Sequence, residues 1–430
     1  MNFKEEKIET KGINVRKLGA KGDGKKDDSV FIQKALDSDY ELIVIPEGIY
    51  KIKSTLKVDS NKHIRAHPQA KIILGNKAAK YKNDFLLTNK NHKTGNSNIV
   101  IEGGIWDGNN KNNPRGGDES RGYVKANEAE EDNQYTGVMM NFFNVDNLKL
   151  KSLVLTNPEA YYSRFCKVSN FHIEDIEFEC DSFRPNQDGV HFGGYCKNGV
   201  IRDIKAEGSS ITNDDLVALN ADDVNTRAQN LGKLNGPIEN IRIENIRADD
   251  CHSFVRLLSV FSPIKNISIK GIKGGFRNNV LNMDAARYCR VPVVDENSKE
   301  FNSPLGEIKD INIEEVEVYV TKEDSNFIRM ETRVDNFNIY NFQRNRNTEI
   351  ESEGSTINLK YLTPGELEIY GLDKSQVELL CENSTCINKE YKKLAGFNNE
   401  NKYYVKLEID KNSTVNLKKG GFERLSFNEF

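Results

Sequence analysis

One short pattern, repeated along most of the chain, constrains the fold more than any other feature. It appears as Asn98-Ile99-Val100-Ile101, Asn147-Leu148-Lys149-Leu150, Asn170-Phe171-His172-Ile173, Asn198-Gly199-Val200-Ile201, Asn240-Ile241-Arg242-Ile243, Asn266-Ile267-Ser268-Ile269, Asp310-Ile311-Asn312-Ile313 and Asn336-Phe337-Asn338-Ile339. Each copy sets a polar turn residue before alternating apolar and polar residues, the mark of a strand with one buried face. The anchors at 147 and 170 are 23 residues apart, those at 170 and 198 are 28 apart, and the pairs 240/266 and 310/336 are 26 apart. Wider gaps mark insertions at 107–135, 221–236 and 289–306. A β-type repeat of this period predicts a parallel β-solenoid, each repeat forming one coil. Leucine-rich repeats need a Leu-x-x-Leu-x-Leu frame, which is missing. A propeller needs a Trp or Gly-His signature per blade, and Trp106 is the single tryptophan.

The two ends depart from the repeat. Ile13 to Gly24 reads as a short strand and a glycine-rich turn, after which Asp27 and Asp28 offer N-caps for a helix to about Leu36, with Phe31, Ile32, Ala35 and Leu36 on one face. These glycines are not followed by the Lys-Ser/Thr of a phosphate loop. Past about residue 350 the rhythm weakens, and Thr356–Leu359, Tyr403–Ile409 and Ser413–Leu417 read as antiparallel strands. The expected class is all-β, in three parts: 1–60 as N-terminal cap and first strands, 61–345 as stacked coils carrying the catalytic face, and 346–430 as a C-terminal β cap or small β module.

Charge and composition narrow the partners. A net charge of −4 from 61 basic and 65 acidic residues gives no global basic field, so nucleic acid is not an expected partner. The N-terminus has no apolar core like that of a signal peptide, and nowhere do eighteen apolar residues run together, so no membrane span is expected. Seven cysteines, an odd count without a CxxC pair, suit a reducing compartment. The expected location is cytoplasmic, a secreted protein lacking its leader being the alternative. No cofactor and no metal is expected.

Three acids stand out. In a parallel solenoid, residues at equal offsets from their anchors stack on neighbouring strands about 4.8 Å apart. Asp188 lies 18 residues after Asn170, while Asp214 and Asp215 lie 16 and 17 after Asn198. On the next coils His252 and Arg256 lie 12 and 16 after Asn240, and Asn282 and Asp284 lie 16 and 18 after Asn266. Crowded carboxylates repel, so one is expected to keep its proton beside ionised neighbours. Glycoside hydrolysis needs such a pair, one group to protonate the leaving oxygen and one to activate water or attack. Taken singly, Asn-Asp and Asp-Gly sequences are ordinary turn formers. Their coincidence on adjacent coils favours chemistry.

These residues resemble the family 28 glycoside hydrolases, the polygalacturonases and rhamnogalacturonan hydrolases. Asn186-Gln187-Asp188-Gly189, continuing into Val190-His191, resembles the family's Asn-Thr-Asp-Gly motif, and Asp214-Asp215-Leu216 its Asp-Asp pair. Cys251-His252-Ser253 stands where the family has Gly-His-Gly, and Ile105-Trp106-Asp107-Gly108-Asn109 is similar to its Asp-Gly-Asn stretch. The opening Gly-Ala-Lys-Gly-Asp-Gly and Pro46 to Tyr50 look like the N-terminal part of many right-handed β-helix proteins. The likeness covers roughly residues 12–345. It implies a right-handed parallel β-helix and an inverting mechanism in which Asp214 is the general acid, Asp188 and Asp215 activate water, and His252 tunes or orients the acid.

The chain departs from the family where Arg-Ile-Lys would recognise a uronate. Here it reads Asn282-Met283-Asp284. Arg256 and Arg287 are candidates to replace the missing cation, since a guanidinium suits a carboxylate. Asn186 and His191 complete the expected substrate-binding set, His191 reading as more structural than catalytic. The long polar insertion from Asp107 to Gln134 suggests a walled cleft and chain-end attack. The expected ligand is a pectin-type or related oligosaccharide, uronic or neutral. Two rival readings remain at this stage: a lyase or epimerase on the same fold, which needs a basic proton acceptor, and a tailspike-type glycan-binding β-helix.

Overall fold

The computed structural model describes residues 12–115, 135–222, 234–284, 306–322, 325–330, 334–344, 356–359, 364–394, 401–410, 412–418 and 422–429. Parallel strand pairing begins at Gly12–Asn14 against Leu42–Val44 and continues coil upon coil as far as Val334–Arg344. The repeated apolar positions meet their counterparts in register. One unbroken column runs Ile64, Ile101, Leu150, Ile173, Ile201, Ile243, Ile269, Ile313, Ile339. All of these side chains are at most 1% exposed, so the core is a stack of layers. The chain is thus a parallel β-helix.

The anchor residue of the repeat has a conformational cause. All eight anchors lie in the left-handed region, with φ from 51° at Asn336 to 58° at Asn198 and Asn240. Each coil turns a corner there, and Asn and Asp tolerate that conformation better than other side-chain-bearing residues. The same side chains then bind coil to coil. Asn240 Nδ2 donates to Asn198 Oδ1 at 3.0 Å, Asn266 Nδ2 to Asn240 Oδ1 at 2.8 Å, and Asn336 Nδ2 to Asp310 Oδ1 at 2.6 Å. At Gly199 the repeat lacks its apolar side chain because the Phe171 ring of the preceding coil fills the space; a Cβ there would lie 1.9 Å from that ring.

Both ends differ in detail from the sequence reading. The first helix, α1, spans Ser29–Leu36 and buries Ile32, Ala35 and Leu36. Asp28 is its N-cap residue, but the carboxylate is spent on the glycine-rich turn, accepting from the Lys21 and Gly22 amides at 2.7 and 2.9 Å. At the other end, Phe422–Glu429 pairs antiparallel with both Val334–Arg344 and Gly365–Leu372, which ends the parallel stack. Thr356–Leu359 is a hybrid: antiparallel to Val415–Lys418 as expected, yet parallel to Asn326–Met330. A second helix, α2 (Lys374–Asn383), was not anticipated, although Asp373 and Gln376 form the capping box that marks its start.

One row of strands positions the functional face. Its register runs Thr88, Asn141, Arg164, His191, Ala218, Arg256, Asn282, Arg329, Asn358, a polar row interrupted only at Ala218.

Asn240→Ala removes both inter-coil amide contacts and places a Cβ residue in the left-handed corner without a compensating side chain. It is expected to lower stability by about 1–2 kcal/mol, read as a lower urea midpoint. Asn240→Gly keeps the backbone preference and should lose less.

Candidate active site

The acids gather at the edge where strands enter this row. Val190 pairs with Val217, so Asp188 and Asp215, each two residues earlier, share one rung. The backbone agrees: Gly189 N donates to Asp215 O at 3.0 Å. Offsets of 18 and 17 become one rung because the turn before Val190 is one residue longer than the turn before Val217. On the next coil Asp215 faces Ser253, and His252 N donates to Asp214 O at 3.2 Å. His252 arrives after fewer residues because Ile238–Leu258 is one continuous strand, whereas Lys197–Ser209 breaks before Asp215–Asn220 begins.

The three carboxylates have different surroundings. Asp188 is buried, and its Oδ2 lies 2.6 Å from His191 Nδ1, a buried imidazole on which Tyr161 stacks at 4.0 Å between centroids. Asp215 is 1% exposed; its Oδ1 lies 3.5 Å from His252 Nδ1 and its Oδ2 3.9 Å from Arg256 Nη1. Asp214 is the most open, with 23% of its side chain exposed; Oδ1 lies 3.4 Å from His252 Nδ1 and Oδ2 accepts from Asn186 Nδ2 at 3.4 Å.

Burial alone would raise the Asp215 carboxyl, but the His252 contact and the Arg256 charge outweigh it and hold the group below the usual carboxylate range. The expectation that crowding protonates an acid is therefore not met at Asp215, because two cations share the site. Burial pulls His252 down, but the bond to Asp215 and the charges of Asp214 and Asp215 more than reverse this, and the imidazole ends above its ordinary value. On its far side Nε2 lies 3.1 Å from Asn278 Nδ2. As placed, the amide donates to Nε2 and leaves the Nδ1 proton facing the carboxylates. Turned over, it presents its oxygen to a doubly protonated ring.

Beneath Asp214 lies a buried ionic layer that the sequence reading missed. Glu159 is 3% exposed and sits between Arg184 Nε at 3.2 Å and Arg115 Nε at 3.8 Å. Burial raises its pKa despite both guanidiniums. Arg115 Nη1 donates to Asn186 Oδ1 at 3.3 Å, so Glu159, Arg115, Asn186 and Asp214 form one chain of contacts. Arg277 was also missed. It bonds Asn213 Oδ1 through Nη1 at 3.0 Å, approaches Asp250 at 3.3 Å through Nε, and remains 23% exposed.

Comparison with known proteins then places the chain. Residues 12–277 match the family model described as rhamnogalacturonase A/epimerase, pectate lyase-like. The chain belongs to that family. A polygalacturonase of Arabidopsis thaliana is 27% identical over 290 residues, 62% of each sequence. The pre-neck appendage protein of Bacillus phage phi29 is 31% identical over 100 residues, 23% of this chain; the chain spans only 12% of that relative's length. The crystal structure of an N-terminal fragment of phi29 gene product 12 superposes with a TM-score of 0.51 at 15% identity, covering 75% of this chain and 56% of that one, a likeness of fold alone.

Within this pectate lyase-like frame the structure draws most of the sequence-selected residues into one cleft. Asp188, Asp214, Asp215, His252 and Asn186 cluster as described, and His191, Arg256 and Asn282 occupy the polar row. Asp284 ends the strand beside Leu258, past the row; its side chain, all of Arg287, and residues 116–134 of the polar insertion lie outside the described residues. Arg277 belongs to no motif, and only the structure connects it to Asn213. Asp214, Asp215 and His252 each present one potential metal-ligand atom, all within 4.8 Å of one another.

The imidazole of His252 should titrate above its ordinary 6.5 by NMR, and Asp215→Asn should move the midpoint down. Because the folded value is raised, the stability contributed by this pairing is complete below the unfolded value and is lost as pH climbs through the folded one. A midpoint unchanged by Asp215→Asn would contradict the assigned contact.

Proposed function

We propose that this chain is a glycoside hydrolase of the polygalacturonase type, within family 28, cleaving acidic oligosaccharides with inversion. The observation that carries the reading is the rung shared by Asp188 and Asp215 with the more exposed Asp214 beside it on the same edge. Asp214 is the general acid: it is open enough to reach a glycosidic oxygen and lies against an imidazole able to return its proton. Asp188 and Asp215 orient and deprotonate the attacking water. Both are held in place by cationic or N–H partners, His191 on Asp188 and His252 with Arg256 on Asp215. Inversion is proposed from the resemblance to family 28, in which the paired acids activate water.

The substrate side of the proposal rests on guanidiniums. Arg256 and Arg277 are 13% and 23% exposed around the acids and can stand in for the missing Arg-Ile-Lys cation. Chain-end attack is proposed from the long polar insertion at 107–134, which follows Trp106 in sequence. A lyase or epimerase needs a group able to take a proton from carbon. Arg256 lies 3.9 Å from Asp215, and a guanidinium keeps its proton, so it does not take one from carbon.

Asp214→Asn is expected to cut turnover of oligogalacturonates by about a thousandfold while leaving binding intact. Retained turnover would remove the assignment. With the unaltered protein, the first product seen by NMR should have inverted anomeric configuration. Arg277→Met should raise KM for an oligogalacturonate several-fold and leave a neutral aryl glycoside unaffected; equal effects on both would argue against its contact with an acidic sugar.

A further inference from the structure

The acids stand at the entry edge of the strand row. At its exit edge, where the chain turns toward the next sheet, lies a separate cavity of about 590 Å³ that includes none of the catalytic carboxylates. Its spine is another column of left-handed corners, Gly95 (φ 88°), Asn144 (58°), Lys167 (53°) and Tyr195 (64°). The backbone stacks them: Lys167 N donates to Gly194 O, and Tyr195 N to Pro237 O, both at 2.8 Å. The coil geometry accounts for the conformation, and Gly95 and Asn144 are the residues it favours. It does not account for a tyrosine.

Tyr195, in the turn between two strands, is 49% exposed and gains little from the core. Its ring rests against Gly236, where a Cβ would lie 2.4 Å from Cε2, and is half open to solvent. Beside it the groove carries an acceptor already set in position: Asp146 Oδ1 receives Ser169 Oγ and Asn170 Nδ2, both at 2.7 Å. The remaining charges balance, Lys167 and Lys197 against Asp146 and Glu239. A half-open aromatic ring, a preset carboxylate and a charge-balanced polar trough match the chemistry of a sugar, whose C–H face is weakly positive and whose hydroxyls both donate and accept. With its charges balanced the groove offers no net positive charge to draw a phosphate-bearing ligand, and a lipid surface finds too little apolar area.

We propose that this groove is a second carbohydrate-binding site, separate from the catalytic cleft, which holds a neutral oligosaccharide with one pyranose face on Tyr195. Four successive corners at about 4.8 Å per coil make it long enough for a short oligosaccharide rather than a single sugar. Such a site would hold a glycan chain against the enzyme while the cleft works elsewhere along the same material.

The test uses the full chain carrying Asp214→Asn, so that nothing is turned over. Neutral tetrasaccharides of galactose, glucose, xylose and arabinose are titrated by calorimetry and by saturation-transfer NMR, with an oligogalacturonate as the probe for the cleft. At least one neutral tetrasaccharide should bind, and Tyr195→Ala should weaken it about tenfold, as expected for loss of one aromatic contact. Tyr195→Phe should retain it, and oligogalacturonate binding should not change. Asp146→Asn gives a second variant should Tyr195→Ala fold poorly, and is expected to weaken the same ligand. No binding of any neutral tetrasaccharide, or binding indifferent to both variants, overturns the proposal. The hydrolase reading fails separately, through absent turnover in the unaltered protein, a measurement that this titration does not touch.

Discussion

Everything in this protein depends on the left-handed corner that closes each coil. At φ near 55° the chain turns without breaking the backbone ladder, and an asparagine at that point both accepts the conformation and passes a side-chain hydrogen bond to the next coil. Each such bond is exposed and small on its own. Its value lies in repetition, since the register it fixes is inherited by every strand downstream. The isoleucine column from Ile64 to Ile339 is the buried consequence.

A solenoid of this kind converts sequence spacing into spatial position, but only as accurately as its turns are uniform. One residue more or less in a turn moves a side chain by a rung or to the other face. The cleft forms where two coils of unequal length bring Asp188 and Asp215 onto one rung, while a continuous third strand delivers His252 and Arg256 to the same place. The electrostatics follow from that meeting. An acid at 1% exposure stays ionised because a guanidinium and an imidazole arrive with it, and the imidazole holds its proton because two acids face it.

The layer beneath the acids explains why motif residues alone give an incomplete picture. Glu159, Arg115 and Arg184 come from three separate loops and carry no spacing that marks them as a unit. Their contacts fix Asn186, and through it one oxygen of Asp214. Asp28 shows the same limit at the N-terminus, where a residue read as a helix cap also had two turn amides within reach and bound those instead. The capping box at Asp373 and Gln376 is a local signal, and the helix it starts falls between the segments expected as strands.

The sequence by itself determined the repeat, the buried face of each strand and the polar corner, because these depend on local alternation and on backbone preferences that each residue carries with it. It also singled out Asp188, Asp214 and Asp215, whose short motifs sit at similar distances past successive anchors, and His252, through its likeness to a family motif. Which carboxylate shares a rung with which, which of them is open and which is shielded, and which arginines surround them were decided only by the tertiary structure. Turn lengths set the rung, and burial sets the charge. Both are properties of coils packed against each other, and a sequence read one coil at a time does not contain them.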